Sequence, residues 1–83
     1  MKILRFYANW CHKCKIFSNR DKLKYDMDID VDLPSYKKMM VKYQINVIPT
    51  FLALSDNNRV KGKLANPLNV EEYLEWKKKI TSK

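Results

Sequence analysis

Lys2-Ile3-Leu4-Arg5-Phe6-Tyr7-Ala8-Asn9-Trp10-Cys11-His12-Lys13-Cys14-Lys15 carries the chain from a strand into a helix. Lys2 to Tyr7 is rich in strand-forming residues. Ala8-Asn9-Trp10 is a short connection, and Cys11 to about Asn19 reads as a helix. Two cysteines at this spacing on a first helical turn can close a small disulfide ring with little backbone movement. The unpaired N–H groups and positive dipole end of the helix stabilise a thiolate at Cys11. Lys13, and His12 when protonated, add positive charge beside it. Cys14, one turn deeper, is expected to be more buried and less ionised. Such a pair is built for disulfide exchange: Cys11 attacks a substrate disulfide, and Cys14 then attacks Cys11 to release the reduced substrate.

Downstream, Asp21 and its charged neighbours are expected to turn the chain. Leu23, Tyr25, Met27, Ile29 and Val31 then alternate with Lys24, Asp26, Asp28 and Asp30. That is the period of a strand with one buried face and one polar face, and its acidic positions suit a sheet edge. Asp32 to Pro34 reads as a helix start, with Tyr36, Met39, Met40 and Tyr43 on one face of the helix that follows. Val47 to Leu54 enters a third strand. Asp56-Asn57-Asn58 is a turn cluster, so Arg59 to Leu64 returns as a fourth. Asn69 and Glu72 form an N-cap and capping box for a last helix with Val70, Tyr73, Leu74 and Ile80 inward. The order β-α-β-α-β-β-α predicts one α/β domain over residues 1–83, a four-stranded mixed sheet flanked by helices. Its opening strand–helix–strand unit implies a parallel pair.

An 83-residue chain with 46% hydrophobic residues supports one small core. The net charge is +8, with lysines spread over the whole length. Lys37, Lys38 and Lys42 read as the wet side of a helix, and Lys77 to Lys79 as cations near a helix C-terminus. A basic surface attracts acidic protein partners or nucleic acid, but no interleaved aromatic–basic patch points to nucleic acid. Met1-Lys2 leads straight into the first strand with no signal-like apolar region. No apolar run approaches the ~20 residues that span a bilayer. A cytoplasmic monomer with no membrane role is therefore expected. In a reducing cytoplasm, cysteines this close serve redox or metal chemistry rather than a structural staple.

Metal chemistry is weakly supported by the same residues. Structural zinc needs four ligands, and His12 lies between Cys11 and Cys14, where it cannot easily reach the same ion. Haem attachment needs His where Lys15 stands. A Cu(I) carrier using both thiols stays open, although such carriers end in βαβ rather than ββα. The expected cofactor set is none beyond the redox-active Cys11–Cys14 disulfide.

Two segments resemble a known family. Phe6-Tyr7-Ala8-Asn9-Trp10-Cys11-His12-Lys13-Cys14-Lys15 is similar to the thioredoxin active-site segment, in which an aromatic-Ala-x-Trp run precedes CxxC-Lys. Lys42-Tyr43-Gln44-Ile45-Asn46-Val47-Ile48-Pro49-Thr50 resembles that family's second signature, Lys-Tyr-x-Val-x-x-Ile-Pro-Thr. The resemblance covers nearly all of Lys2 to Ile80. It implies a minimal thioredoxin fold, close in size to glutaredoxins, with Pro49 as a cis-proline facing the cysteines. It also implies that the Ile48 backbone pairs with an extended substrate segment, and that Trp10 walls the substrate groove beside His12 and Lys13.

The sequence also departs from the family pattern. It begins directly at the strand before CxxC, which leaves Leu23–Val31 as an edge strand. The active-site helix reads several residues shorter than usual. Arg5 stands where thioredoxins place a buried Asp, and Asp26 or Asp28 lies near the position of its partner Lys. A reversed pair behind the cysteines is expected, and because an Arg accepts no proton from Cys14, the usual carboxylate base is absent or displaced. Ala65-Asn66-Pro67 replaces the customary glycine after the last strand, and glutathione-binding glycine pairs are missing. The expected function is a protein-disulfide reductase acting on disulfide-containing proteins, recycled by a thioredoxin-reductase-like or glutathione-based reductant. Two other readings stand beside it: a non-enzymatic thioredoxin-fold module docking through its basic surface, and the soft-metal carrier.

Overall fold

The computed structural model describes residues 1–82. Strand β1 (Lys2–Tyr7) is the one expected, but the helix after it is far shorter than a run to Asn19. Helix α1 is a single turn, His12–Lys15, and a second short helix, α2 (Arg20–Leu23), follows. Polar side chains make the break. Ser18 Oγ donates to the Lys15 carbonyl at 2.8 Å, and Asn19 Oδ1 accepts from the Lys22 N–H at 3.1 Å as the N-cap of α2. Ser and Asn compete in this way with helix continuation. The charged segment around Asp21 is thus helical rather than a turn, and Lys24, at φ 61°, ends it.

The expected strand over Leu23–Val31 contracts to β2, Met27–Asp30. Its period-two pattern joins two half-patterns that serve opposite faces of the sheet. Leu23 and Tyr25 pack with Phe51 and Tyr73 on one side, whereas Ile29 and Val31 pack with Phe6 and Leu52 on the other. Met27 lies 40% exposed. A 3-10 turn (Pro34–Tyr36), capped by Leu33 rather than Asp32, leads into α3 (Lys37–Lys42). Tyr36, Met39, Met40 and Tyr43 pack inward as their spacing predicts.

Strand β3 (Thr50–Leu54) starts later than Val47 and is buried throughout. Strand β4 is Val60–Ala65, and α4 is Val70–Thr81. Asn69 caps α4 by accepting from the Glu72 N–H at 2.9 Å, while Glu72 reaches back to the Leu68 N–H at 3.3 Å. Leu74, expected inward, is exposed, and Trp76 takes the inner position with Val70 and Ile80.

The sheet order is β2-β1-β3-β4, with β1–β2 parallel and the other pairs antiparallel. Alternate residues of β1 and β3 feed the two faces: Ile3, Phe51 and Ala53 toward α2 and α4, and Leu4, Phe6, Leu52 and Leu54 toward α3. Burying both faces explains why these strands are almost continuously apolar. The α4 side is tied to α2 by Tyr73, whose hydroxyl donates to the Leu23 carbonyl at 2.9 Å, and by the Lys77 ammonium, which reaches the Leu23 and Lys24 carbonyls. These bonds satisfy carbonyls that the end of α2 leaves open. Burial pushes the Tyr73 phenol well above its ordinary range.

Gly62 lets α4 lie close on β4. A Cβ there would stand 3.0 Å from Ile80 Cγ2 and 3.3 Å from Trp76 Nε1. Gly62→Val is therefore expected to destabilise the protein by about 1–3 kcal/mol through overpacking. Urea denaturation checks this, and an unchanged midpoint would show that α4 can retreat freely.

Candidate active site

The chemistry gathers where β1 ends. After Tyr7 the chain turns through Ala8-Asn9-Trp10, with the Cys11 N–H donating to the Ala8 carbonyl at 3.1 Å. Cys11 is the N-cap of α1, in extended conformation, and its Sγ accepts from the Cys14 N–H at 3.1 Å. The two cysteines are joined as a disulfide with Cα atoms 5.3 Å apart. Cys11 is 8% exposed and Cys14 1%, the asymmetry expected of an outer and an inner thiol. Ala8 and both cysteines form a small apolar cluster, with Tyr7, Val31 and Ile48 packed against it.

The loop before β3 meets this cluster through Ile48. The Ile48–Pro49 peptide is cis and Pro49 is buried. Among the described residues, no backbone hydrogen bond uses the Ile48 N–H or carbonyl, which leaves both available to a visiting strand. Trp10 is 65% exposed and donates its indole N–H to Asp32 Oδ2 at 2.9 Å. That bond holds the ring at the edge of a cleft of about 160 Å³ walled also by Val31, Met40, Ile45, Val47 and Ile48. His12 is exposed. Lys13 is half-buried and donates to Asn66 Oδ1 at 2.8 Å.

Arg5 and Asp28 do meet behind the cysteines. The Arg5 Nε donates to Asp28 Oδ1 at 2.5 Å, and Nη1 donates to the Cys14 carbonyl at 2.9 Å. Asp26 is not the partner, because its carboxylate accepts from the Ile3 N–H at 2.7 Å. The Arg5 guanidinium also stacks on the Tyr7 ring at 4.3 Å and the Tyr25 ring at 5.5 Å, contacts that favour a buried cation. Desolvation and the nearby Asp28 carboxylate push the Tyr25 phenol up to about 12, so the ring is neutral at physiological pH.

Two participants escape a reading of the sequence alone. Asp32 reads as a helix start, yet its carboxylate anchors Trp10, a pairing that no local spacing announces. Asn66 stands where the customary glycine is missing and takes the left-handed conformation at φ 51°, which Asn tolerates. Its N–H donates to the Pro49 carbonyl at 2.8 Å while its side chain holds Lys13. One residue thus ties the proline loop to the cysteine loop. Among the described residues, no three His, Cys, Asp or Glu side chains converge as a metal site. No helix among them is long and apolar enough to cross a membrane.

A strand-to-helix CxxC disulfide facing a buried proline loop, on a four-stranded mixed sheet, defines a thioredoxin-type redox fold. The family model for thioredoxin matches residues 1–78, and the chain belongs to the thioredoxin family. Thioredoxin-1 of Drosophila yakuba is 31% identical over 64 residues, which cover 70% of this chain and 60% of that protein. The chain thus spans about 60% of the length of this relative and of Thioredoxin-1 of Drosophila melanogaster, and 40% of Thioredoxin-T of the same fly. Among solved structures, oxidised thioredoxin O1 from Arabidopsis thaliana superposes with a TM-score of 0.73 at 18% identity, covering 94% of this chain and 75% of that one. Thioredoxin 1 from Thermosipho africanus TCF52B gives a TM-score of 0.64 at 24% identity, with 100% of both chains covered. Both likenesses are of fold.

Proposed function

We propose that this protein is a thiol–disulfide oxidoreductase that reduces or exchanges disulfides in protein substrates through Cys11 and Cys14. The observation that carries the reading is the Cys11 sulfur at the α1 N-cap, accepting the Cys14 N–H and packed against Ile48. A hydrogen bond to sulfur favours its charged form, and the thiolate is the nucleophile. Cys11 is therefore the attacking residue and Cys14 the resolving one.

An extended substrate segment pairs with the free Ile48 backbone groups in the manner of an added strand, with Pro49 fixing that loop. Trp10 and the cleft beside it take an apolar substrate side chain, while half-buried Lys13 supplies positive charge near the outer sulfur and exposed His12 offers a polar contact. The basic surface, at net charge +8, favours acidic partners by steering. The pair works in a reducing cytoplasm as a monomeric electron carrier, its electrons supplied by a thioredoxin-reductase-like protein or by glutathione. No further cofactor is needed, because the Cys11–Cys14 pair carries the two electrons itself as the dithiol and gives them up on closing to the disulfide.

The test is reduction of insulin by dithiothreitol with and without the protein. A clear acceleration is expected. A folded protein that leaves the rate unchanged would move the reading to a binding module that docks through the same surface.

A further inference from the structure

The Arg5 side chain is 6% exposed, while that of its counter-ion Asp28 is 36% exposed. Water therefore screens the carboxylate more than the guanidinium, and the pair presents a net positive field on its buried side. That side faces the cysteines, because Nη1 holds the Cys14 carbonyl at 2.9 Å. A cleft of about 170 Å³, lined in part by Arg5, Tyr7, Cys14, Lys15 and Ser18, opens the same region to solvent.

The surrounding groups leave this field in place. Tyr7 and Tyr25 stack on the guanidinium, and Tyr25 is neutral. Lys15 adds a second cation at the cleft, and Lys13 and His12 lie on α1 itself. Asp26 is engaged by the Ile3 N–H, and Asp28 by Arg5.

We propose that the Arg5–Asp28 pair is a positioning device that sets the ionisation of Cys14. Arg5 favours the Cys14 thiolate and Asp28 moderates it, so that the resolving step proceeds without a carboxylate base. The proposal rests on the oxidoreductase reading above. In the mixed disulfide, the Cys14 thiol gives its proton to water in the cleft. The resulting thiolate attacks Cys11 Sγ, and the Cys11–Cys14 bond forms as the bond from Cys11 to the substrate sulfur breaks. The electron pair leaves on the substrate sulfur, which takes a proton from solvent. The enzyme dithiol is oxidised and the substrate disulfide has gained two electrons.

Two charge changes of opposite sign test this. The readouts are the equilibrium of the Cys11–Cys14 pair with reduced and oxidised glutathione, and the pH at which thiolate ultraviolet absorbance appears in the Cys11→Ser background, where Cys14 is the one thiol left. Arg5→Met is expected to lower the equilibrium constant for forming the dithiol about tenfold, or about 30 mV for two electrons, and to move thiolate formation to higher pH. Asp28→Asn is expected to raise that constant and move thiolate formation to lower pH, while Arg5→Lys, which keeps the cation, restores the wild-type potential. A merely structural pair would shift stability without this opposition of sign.

Asp28 lies on a half-exposed edge position, so its variant reports even where Arg5→Met fails to fold. Movement of the equilibrium in the same direction in both variants, or none in Asp28→Asn, overturns the proposal. The glutathione equilibrium is read without any protein substrate. A wild type that equilibrates with glutathione but leaves insulin untouched therefore overturns the reductase reading alone.

Discussion

Cys11→Ser is expected to abolish insulin reduction, lowering the rate more than about a thousandfold, the scale seen when an enzyme loses its nucleophile. Cys14→Ser is expected to be equally inactive in turnover but to accumulate a covalent adduct with substrate. The difference follows from position. The Cys11 sulfur is the more exposed of the two and receives the Cys14 N–H, so it opens the exchange. Cys14 is 1% exposed and reaches only the sulfur already beside it. Without it the mixed disulfide persists, because no second thiol stands close enough to release the substrate. Mass spectrometry of each variant after mixing with a disulfide protein reads the result. An adduct on Cys11→Ser through Cys14 would reverse the roles, and insulin reduction undiminished in Cys11→Ser would remove Cys11 from the reaction.

The second large effect lies in the core. Phe51 is fully buried and sits among Tyr73 at 4.3 Å, Phe17 at 5.6 Å, Tyr25 at 5.9 Å and Trp76 at 6.4 Å between centroids. Those four rings come from α4 and the segments flanking α2, so one side chain of β3 joins the whole face. Phe51→Ala is expected to cost about 3–5 kcal/mol, from lost burial and the cavity left behind. A domain of this length has roughly 4–12 kcal/mol in total, at ~0.05–0.15 kcal/mol per residue. The variant should therefore unfold partly or wholly at room temperature, as followed by circular dichroism in urea. A loss under about 1 kcal/mol would mean that the neighbouring rings close the gap, a smaller cost than cavity formation carries in a rigid core.

Much of this architecture was legible in the sequence because its signals are local. Alternating strand residues, the Asn69 cap and the i, i+3, i+4 spacing of Tyr36, Met39 and Met40 each act within a few positions. The cysteine pair and the Ile48-Pro49 loop were legible for the same reason. The errors arose where one pattern had two meanings. Leu23 to Val31 alternates without a break, yet Lys24 in the left-handed conformation splits it, so the apolar residues serve opposite faces. Leu74 keeps the i, i+4 spacing from Val70 yet stands exposed, while Trp76 packs inward beside the side-chain-free Gly62. Longer-range pairings were not readable at all. That Arg5 chooses Asp28 over Asp26 follows from β1–β2 register, in which Arg5 lies opposite Asp28. The anchoring of Trp10 by Asp32 likewise depends on how two loops meet.

The position of β2 at the rim of the sheet bears on how the molecule behaves in concentrated solution. A strand with no neighbour on one side offers its backbone to any similar strand. Two copies approaching rim to rim would bring the Asp28 and Asp30 of one strand against those of the other, and facing like charges oppose pairing. That guard is ionic, so it fades as added salt screens the facing charges. Rim-to-rim association should accordingly be weakest in dilute salt and grow as ionic strength rises, because the net charge of +8 that also keeps copies apart is screened by the same ions.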